Sequence, residues 1–261
     1  MSASDDDIGQ IMQPGHKKRG ATRLQIMGAP GEWKTSVALT FDKPELIIGM
    51  PGEKHTDLFE PTDTLKGYVF NAPDYSNTNV DWVKMWQKVR LKTRLLLEGE
   101  MGQFETIVFD GVHKAFDVCY YAAKQKFASS SGDGEWEGRR GWPWIKDEFL
   151  AWFSQGYYSK VPWVVWIVWS AKEQDDQLAV QGTKEAARQS IWPEYAGKFQ
   201  RTAMGETNII YQYVDGGKAY WQLRQDAKVK GVGLRVAPEK AEKLPVRIPA
   251  VWSELKKILQ G

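Results

Sequence analysis

An α/β fold with a mostly parallel central sheet flanked by helices is what this chain predicts, and three features predict it. Short apolar runs of strand length alternate with longer stretches of helical spacing. One apolar run near the N-terminus stops at a glycine-containing turn that leads directly into a helix. Two strand-like segments near the C-terminus flank Asp215, Gly216 and Gly217, as the arms of an antiparallel hairpin do.

Taken in order, residues 1–20 are polar, with glycine, proline and the basic cluster Lys17, Lys18 and Arg19. They read as a flexible N-terminal arm, either a disordered leader or a nucleic-acid contact. Residues 21–261 form the core, with a basic C-terminal segment and a closing helix. Residues 24–27 make a short strand that stops at Gly28, residues 35–41 open a helix, and residues 46–49 are a second buried strand. Residues 80–98 set Val80, Val83, Trp86, Val89 and Leu96 on one face with Lys and Arg between them, as an amphipathic helix requires. Residues 106–110 are an apolar strand ending in the carboxylate of Asp110, and residues 112–127 return to helical spacing. Residues 129–141, rich in Ser and Gly, read as an exposed loop carrying Trp136, Arg139 and Arg140. A helix follows over 143–153, with Pro143 in its first turn. Residues 161–169 are β-branched, aromatic and uncharged, as a fully buried strand is. Residues 174–196 are polar and irregular, 207–214 and 218–224 form the hairpin, and 251–259 make the closing helix.

The 261 residues suit one large α/β domain, or one domain with a small appendage. Hydrophobic residues at 42% and charged residues at 26% exclude a disordered or fibrous chain. A formal net charge of +2 carries no polyanion signature of its own, so any nucleic-acid site must arise from local clustering. The 13 tryptophans supply flat surfaces that pack in cores or interfaces, or stack on bases. Cys119, the single cysteine, excludes an intramolecular disulfide and fits a reducing compartment. The acidic first ten residues lack the apolar core of a secretory signal, and residues 161–169 are too short to span a bilayer. A soluble cytoplasmic protein with no membrane partner is expected.

The chemistry concentrates in Gly28-Ala29-Pro30-Gly31-Glu32-Trp33-Lys34-Thr35, which matches the phosphate-loop pattern G-x-x-x-x-G-K-[ST] at every fixed position but one. Such a loop needs backbone N–H groups converging on phosphate oxygens, a helix start whose dipole favours an anion, a lysine for the outer phosphates and a hydroxyl for Mg²⁺. Lys34 and Thr35 are the last two groups, and Ser36 completes the stretch. Gly28 and Gly31 permit backbone approaches that a side chain hinders. Trp33 stands where the pattern has its last glycine; it either points outward, against the base or a neighbouring subunit, or it obstructs the phosphates. Asp110 ends its strand as the carboxylate of a Walker B strand does, at the edge where Mg²⁺ is held. Glu53, just past the second strand, is either a water-orienting carboxylate or a solvated loop residue. His16, His55 and His113 form no ligand spacing, so no metal beyond nucleotide-borne Mg²⁺ is assigned.

The order of GAPGEWKTS, FETIVFDG, VPWVVWIVWSAKE, the terminal hairpin and LPVRIPAVWSELKKIL resembles the RecA-like P-loop ATPases carried by phages, in particular the single-strand-annealing ATPases related to the RecA core. The resemblance spans most of residues 24–259, and only the first segment is specific. It implies a RecA-like fold, ATP with Mg²⁺, and assembly on single-stranded DNA as a homo-oligomer, ring or filament, in a host cytoplasm. In that family the strand after Walker B commonly ends in a polar sensor, often a His followed by Lys-Glu. Ser170 takes that position here, followed by Lys172 and Glu173. Serine can hydrogen-bond a phosphate but cannot act as a cation. The resemblance also implies DNA-facing loops: Trp136, Arg139 and Arg140 in one, Lys184 and Arg188 in the other, where stacking aromatics beside cations suit sequence-tolerant binding or are merely solvated surface. Cations reaching a neighbouring subunit's phosphates are implied at Lys228, Lys230 or Arg235, with a solvated edge strand as the alternative.

Three functions follow as expectations. The first is an ATPase in which Lys34 and the loop amides bind β- and γ-phosphates, Thr35 and Asp110 hold Mg²⁺, Glu53 orients water and Ser170 senses the γ-phosphate, driving single-stranded-DNA annealing or strand exchange. The second is a DNA-coating or scaffold module that binds nucleotide with little turnover. The third is a small-molecule phosphotransferase.

Overall fold

The computed structural model describes residues 22–52, 59–71, 79–128, 136–174, 189–193, 207–225, 229, 232–236 and 238–260. Within them the chain runs β1 (Thr22–Gly28), α1 (Lys34–Ala38), β2 (Glu45–Gly49), β3 (Leu65–Val69), α2 (Trp82–Leu97), β4 (Thr106–Asp110), α3 (Val112–Lys126) and α4 (Gly138–Ser154). It continues through a 3₁₀ turn (Gln155–Tyr158), β5 (Trp163–Gln174), β6 (Gln189–Pro193), β7 (Asn208–Asp215), β8 (Lys218–Gln222), α5 (Pro238–Ala241), β9 (Arg247–Pro249) and α6 (Trp252–Gln260). The sheet order is β3-β2-β4-β5-β1-β7-β8-β9, with β6 paired to β5 alone. The pairs from β3 across to β7 are parallel, and β8, β9 and β6 join antiparallel.

Strand periodicity explains the layering. Successive side chains point to opposite faces, and here both faces are apolar. Leu24, Ile26, Ile47, Val108, Val165 and Ile167 face one cluster with Val37, Phe41, Trp252 and Leu255. Met27, Ile48, Ile107, Phe109, Val164, Trp166 and Val168 face the other, with Trp86, Val89, Phe116, Phe149 and Trp152 from α2, α3 and α4. Helices therefore cover both sides, and the inner strands read as continuous apolar runs. Many tryptophans are core: Trp86, Trp152, Trp166 and Trp221 are fully buried. Three donate their indole N–H to neighbouring side chains, Trp86 to Glu148 Oε2 at 3.0 Å, Trp152 to Thr93 Oγ1 at 2.9 Å and Trp221 to Gln212 Oε1 at 2.9 Å.

The structure corrects several expected boundaries. The helix expected over 143–153 starts at Gly138, so Arg139 and Arg140 belong to its first turn and Pro143 lies inside it. Gly141 permits this, because it leaves room for Trp136 against the helix: a Cβ there would lie 2.0 Å from Trp136 Cζ3. The helix after the phosphate loop is shorter than 35–41, ending at Ala38. The polar stretch 174–196 contains a strand, β6, because antiparallel pairing with the end of β5 satisfies its backbone whatever its hydropathy. Edge strand β3 escapes a pattern search because the exposed Lys66 and Gly67 interrupt it and none of its five residues is fully buried. The arm at residues 1–20 lies outside the described residues.

Candidate functional site

Parallel pairing brings the ends of β1, β4 and β5 to one edge: Gly28 is opposite Trp169, and Asp110 is opposite Ile167. The loop leaving β1 is tightly built. A Cβ on Gly28 would lie 2.5 Å from the Gln212 carbonyl oxygen and 2.8 Å from Glu32 Oε2, so only glycine fits. Gly31 adopts φ 79°, open to solvent. Lys34 is buried, and its Nζ donates to the carbonyls of Gly28 at 3.0 Å and Ala29 at 2.6 Å, curling back across the loop. Inside the same turn the Ala29 N–H donates to Glu32 Oε2 at 2.7 Å. A carboxyl oxygen of the loop itself thus sits on a loop amide. Burial raises the Glu32 pKa, against the opposing pull of that hydrogen bond and of Lys34. Pro30 and Ser36 are exposed on the rim.

Trp33 takes the outward alternative. Its backbone is left-handed, φ 55° and ψ 23°, and its side chain is 49% exposed while Lys34 occupies the interior. The conformation explains why the phosphate-loop pattern has glycine there.

The metal-side residues meet across the sheet. Thr35 Oγ1 donates to Asp110 Oδ2 at 2.5 Å. Asp110 is buried at the last position of β4, and Gly111 turns the chain with φ 79° into α3. A hydroxyl and a carboxylate are hard oxygen donors of the kind Mg²⁺ prefers, and two of them leave the rest of an octahedron to phosphates and water. The donor set therefore fits that ion.

His113 is a site neighbour that sequence reasoning missed. It is buried in the first turn of α3 and stacks on Trp169, with ring centroids 4.1 Å apart and planes at 26°. Lys114 Nζ stands 5.6 Å from the same Trp169 ring. Burial first, then the charges of Lys114 and Lys34, push the imidazole pKa down to about 3, so the ring is neutral. The signal available was its place three residues after Asp110 at a strand-to-helix junction. Gln212 was missed too. Fully buried on β7, it donates from Nε2 to the Glu32 carbonyl at 2.5 Å and accepts from Trp221, which ties the phosphate loop to the sheet.

Other expected residues scatter. Ser170 follows Trp169 beyond the shared edge, half-buried and paired with Pro193. Arg235 is exposed, and its backbone N–H donates to Asn208 Oδ1 at 2.7 Å. Asn208 pairs with Leu24, so Arg235 is tied near the end of β1 away from Gly28. Trp136 is half-buried, its ring edge-on to Tyr120 and Trp142 with centroids 5.6 and 5.7 Å away. Arg139 is exposed; so is Arg140, which pairs with Glu137 at 3.2 Å. Glu53, Lys184, Arg188, Lys228 and Lys230 lie outside the described residues. Shape alone would misplace the site, since a cavity of about 620 Å³ opens at the opposite edge, beside Thr22, Glu105 and Trp163.

A sheet in which one strand, β5, separates the strand bearing the phosphate loop from the strand bearing Asp110 defines a P-loop ATPase core of RecA-like fold. A family model described as AAA domain matches residues 21–203, and the chain belongs to that family. It is a nucleotide-binding AAA-type ATPase domain. The family implies a nucleotide, usually with Mg²⁺. Among solved structures, the chain is similar to the assembled ATPase EscN of the enteropathogenic E. coli type III secretion system, at 10% identity and TM-score 0.42, covering 74% of this chain and 43% of that one. It is also similar to a prototypical ATPase from the type III secretion system of pathogenic bacteria, at 8% identity and TM-score 0.43, covering 92% of this chain and 61% of the other. The chain thus spans less than two thirds of either length. A comparison with curated proteins finds no match. Among the described residues no helix is long and apolar enough to cross a membrane.

Proposed function

We propose that this domain couples ATP binding and hydrolysis to association with single-stranded DNA, promoting annealing or strand exchange as a homo-oligomer. The observation that supports the DNA half is an aromatic and cationic surface where the end of α3 meets the start of α4. Trp142 and Tyr121 are 42% and 37% exposed there. Lys124 Nζ lies 5.7 Å from the Tyr120 ring, Lys126 Nζ 5.0 Å from Trp144, and the Arg140 guanidinium 5.3 Å from Phe127. Arg139 is exposed in the same first turn of α4 as Arg140. Aromatic faces that stack on any base, next to cations that track phosphates, are the elements of sequence-tolerant single-strand binding. The resemblance to annealing ATPases points the same way.

In this reading Lys34 and the loop amides hold the outer phosphates, while Thr35 and Asp110 would hold Mg²⁺, which when bound would supply positive charge for the phosphoryl oxygens. Ser170 senses the γ-phosphate through its hydroxyl and Glu53 orients water. Lys228, Lys230 or Arg235 reaches a neighbouring subunit. Phosphate release measured with and without single-stranded DNA tests the proposal. Stimulation by DNA that disappears in Lys34→Ala is the expected result; identical turnover with and without DNA, together with no DNA binding, would remove the nucleic-acid half.

A second reading, a DNA-coating module that binds nucleotide with little turnover, is favoured by Ser170, an uncharged hydroxyl at the sensor position. Nucleotide binding without phosphate release would select it.

A further inference from the structure

Trp33 is the one non-glycine residue with positive φ among the described residues. For a bulky side chain that conformation is strained, and it persists only where the surroundings over-determine it. Here they do. The Glu32 carbonyl on its N-terminal side is held by Gln212 at 2.5 Å, the Glu32 carboxylate is held by the Ala29 N–H, and the Trp33 carbonyl accepts from the Val37 N–H at 2.9 Å. The backbone is therefore pinned on both sides, and the side chain has one way to leave it.

Exposure adds to the cost. Trp33 is 49% exposed, and no ring or cation of the described residues stacks on it. Glycine at the same position would remove both the strain and the exposed apolar surface, so packing and folding give no reason for tryptophan. The ring stands one residue from Lys34, whose Nζ lies on the Gly28 and Ala29 carbonyls, and two from Thr35, which meets Asp110.

We infer that Trp33 is a base-stacking residue of the nucleotide site, presenting its indole face to the nucleobase of the nucleoside triphosphate whose phosphates Lys34 and Thr35 hold. This rests on the nucleotide-binding assignment and adds a specificity element that the phosphate-loop pattern does not contain. Stacking on an indole is tolerant of base identity because every base has a π-face, so Trp33 separates nucleotides from bare polyphosphates rather than one base from another.

The test uses two probes, ATP and inorganic tripolyphosphate, each with Mg²⁺, titrated calorimetrically into the full chain and into Trp33→Gly and Trp33→Phe. Melting curves of each variant check the fold, which removal of an exposed side chain does not threaten. The expected result is about a tenfold loss of ATP affinity in Trp33→Gly, within what base–aromatic stacking contributes, with tripolyphosphate binding unchanged or tighter as strain is released. Trp33→Phe restores most of the loss. Equal changes for both probes overturn the inference, and so does tighter ATP binding by Trp33→Gly. Unchanged affinities with smaller assemblies in sedimentation would also overturn it, giving Trp33 to a contact with a second copy of the chain. If the unaltered chain binds neither probe, the nucleotide assignment itself fails.

Discussion

Thr35 Oγ1 and Asp110 Oδ2 are joined by a hydrogen bond of 2.5 Å between residues 75 positions apart. The strand that leads into the phosphate loop and the strand that ends in Asp110 are not neighbours: β5 lies between β1 and β4. The contact is made possible by α1, which carries Thr35 beyond the end of its own strand and toward the edge where β4 ends.

This pairing predicts a separation of roles. Asp110→Asn keeps the shape but removes the charge, and should leave ATP binding nearly intact in the absence of Mg²⁺ while abolishing the gain that Mg²⁺ gives. Turnover, where the unaltered chain shows it, should fall by about 10²-fold or more, as loss of transition-state charge stabilisation does. Lys34→Ala should weaken ATP with or without the ion, by about tenfold or more. Calorimetry with Mg²⁺ and with a chelator distinguishes the two variants.

Gln212 offers a remote handle on the same loop. Gln212→Leu leaves the buried Trp221 indole N–H without its partner, at about 1–3 kcal/mol, and also removes the donor to the part-buried Glu32 carbonyl. The expected outcome is a lower urea midpoint together with weaker nucleotide binding, although Gln212 makes no contact with Lys34 or Thr35 among the described hydrogen bonds. Unchanged nucleotide affinity at reduced stability would show that the tie is structural only.

Two buried groups predict opposing pH dependences. Burial raises the Glu45 carboxyl to about 7, and its ion pair with Lys43 reverses only part of that. The folded state then holds the proton more tightly than the unfolded state. The resulting stability is fully present below about 4.5 and is lost as pH rises through 7. His113, lowered to about 3, works the other way: its contribution is present above about 6.5 and is lost as pH falls toward 3. Urea midpoints from pH 4 to 8 should flatten between 4.5 and 7 in Glu45→Gln, and lose part of their acid-side fall in His113→Gln.

Gly141→Ala sets helix propensity against packing. In a helix, alanine is favoured over glycine by about 1 kcal/mol. Here its Cβ would lie 2.0 Å from Trp136 Cζ3 and 2.6 Å from Cε3, so the indole must move. We expect a net loss of stability of about 1–3 kcal/mol. Single-stranded-DNA affinity should fall while ATP affinity, measured alongside, is unchanged. A more stable Gly141→Ala protein would show that Trp136 relaxes freely.

Much of this protein was legible because its signals are local. The run TIVFD predicts β4 to the residue, and the glycine–lysine–threonine spacing locates the phosphate loop, because strand burial and phosphate binding each demand particular residue types at short range. Periodicity also found α2 and α3 within two residues at each end. Helix α4 was cut short because Pro143 reads as a start, whereas the position of Trp136 over Gly141 lets the helix begin five residues earlier. What the residues determined by themselves was the alternation of strands and helices around the phosphate loop, though not β3 or β6, and the choice of Gly28, Gly31, Lys34, Thr35 and Asp110 as candidates. Only the tertiary structure decided that Trp33 turns outward, that Gln212 holds the loop, and that a neutral His113 lies against Trp169 beside it. Each of those depends on contacts between segments distant in the chain, made by strand register and burial, and neither leaves a pattern within a short window of sequence.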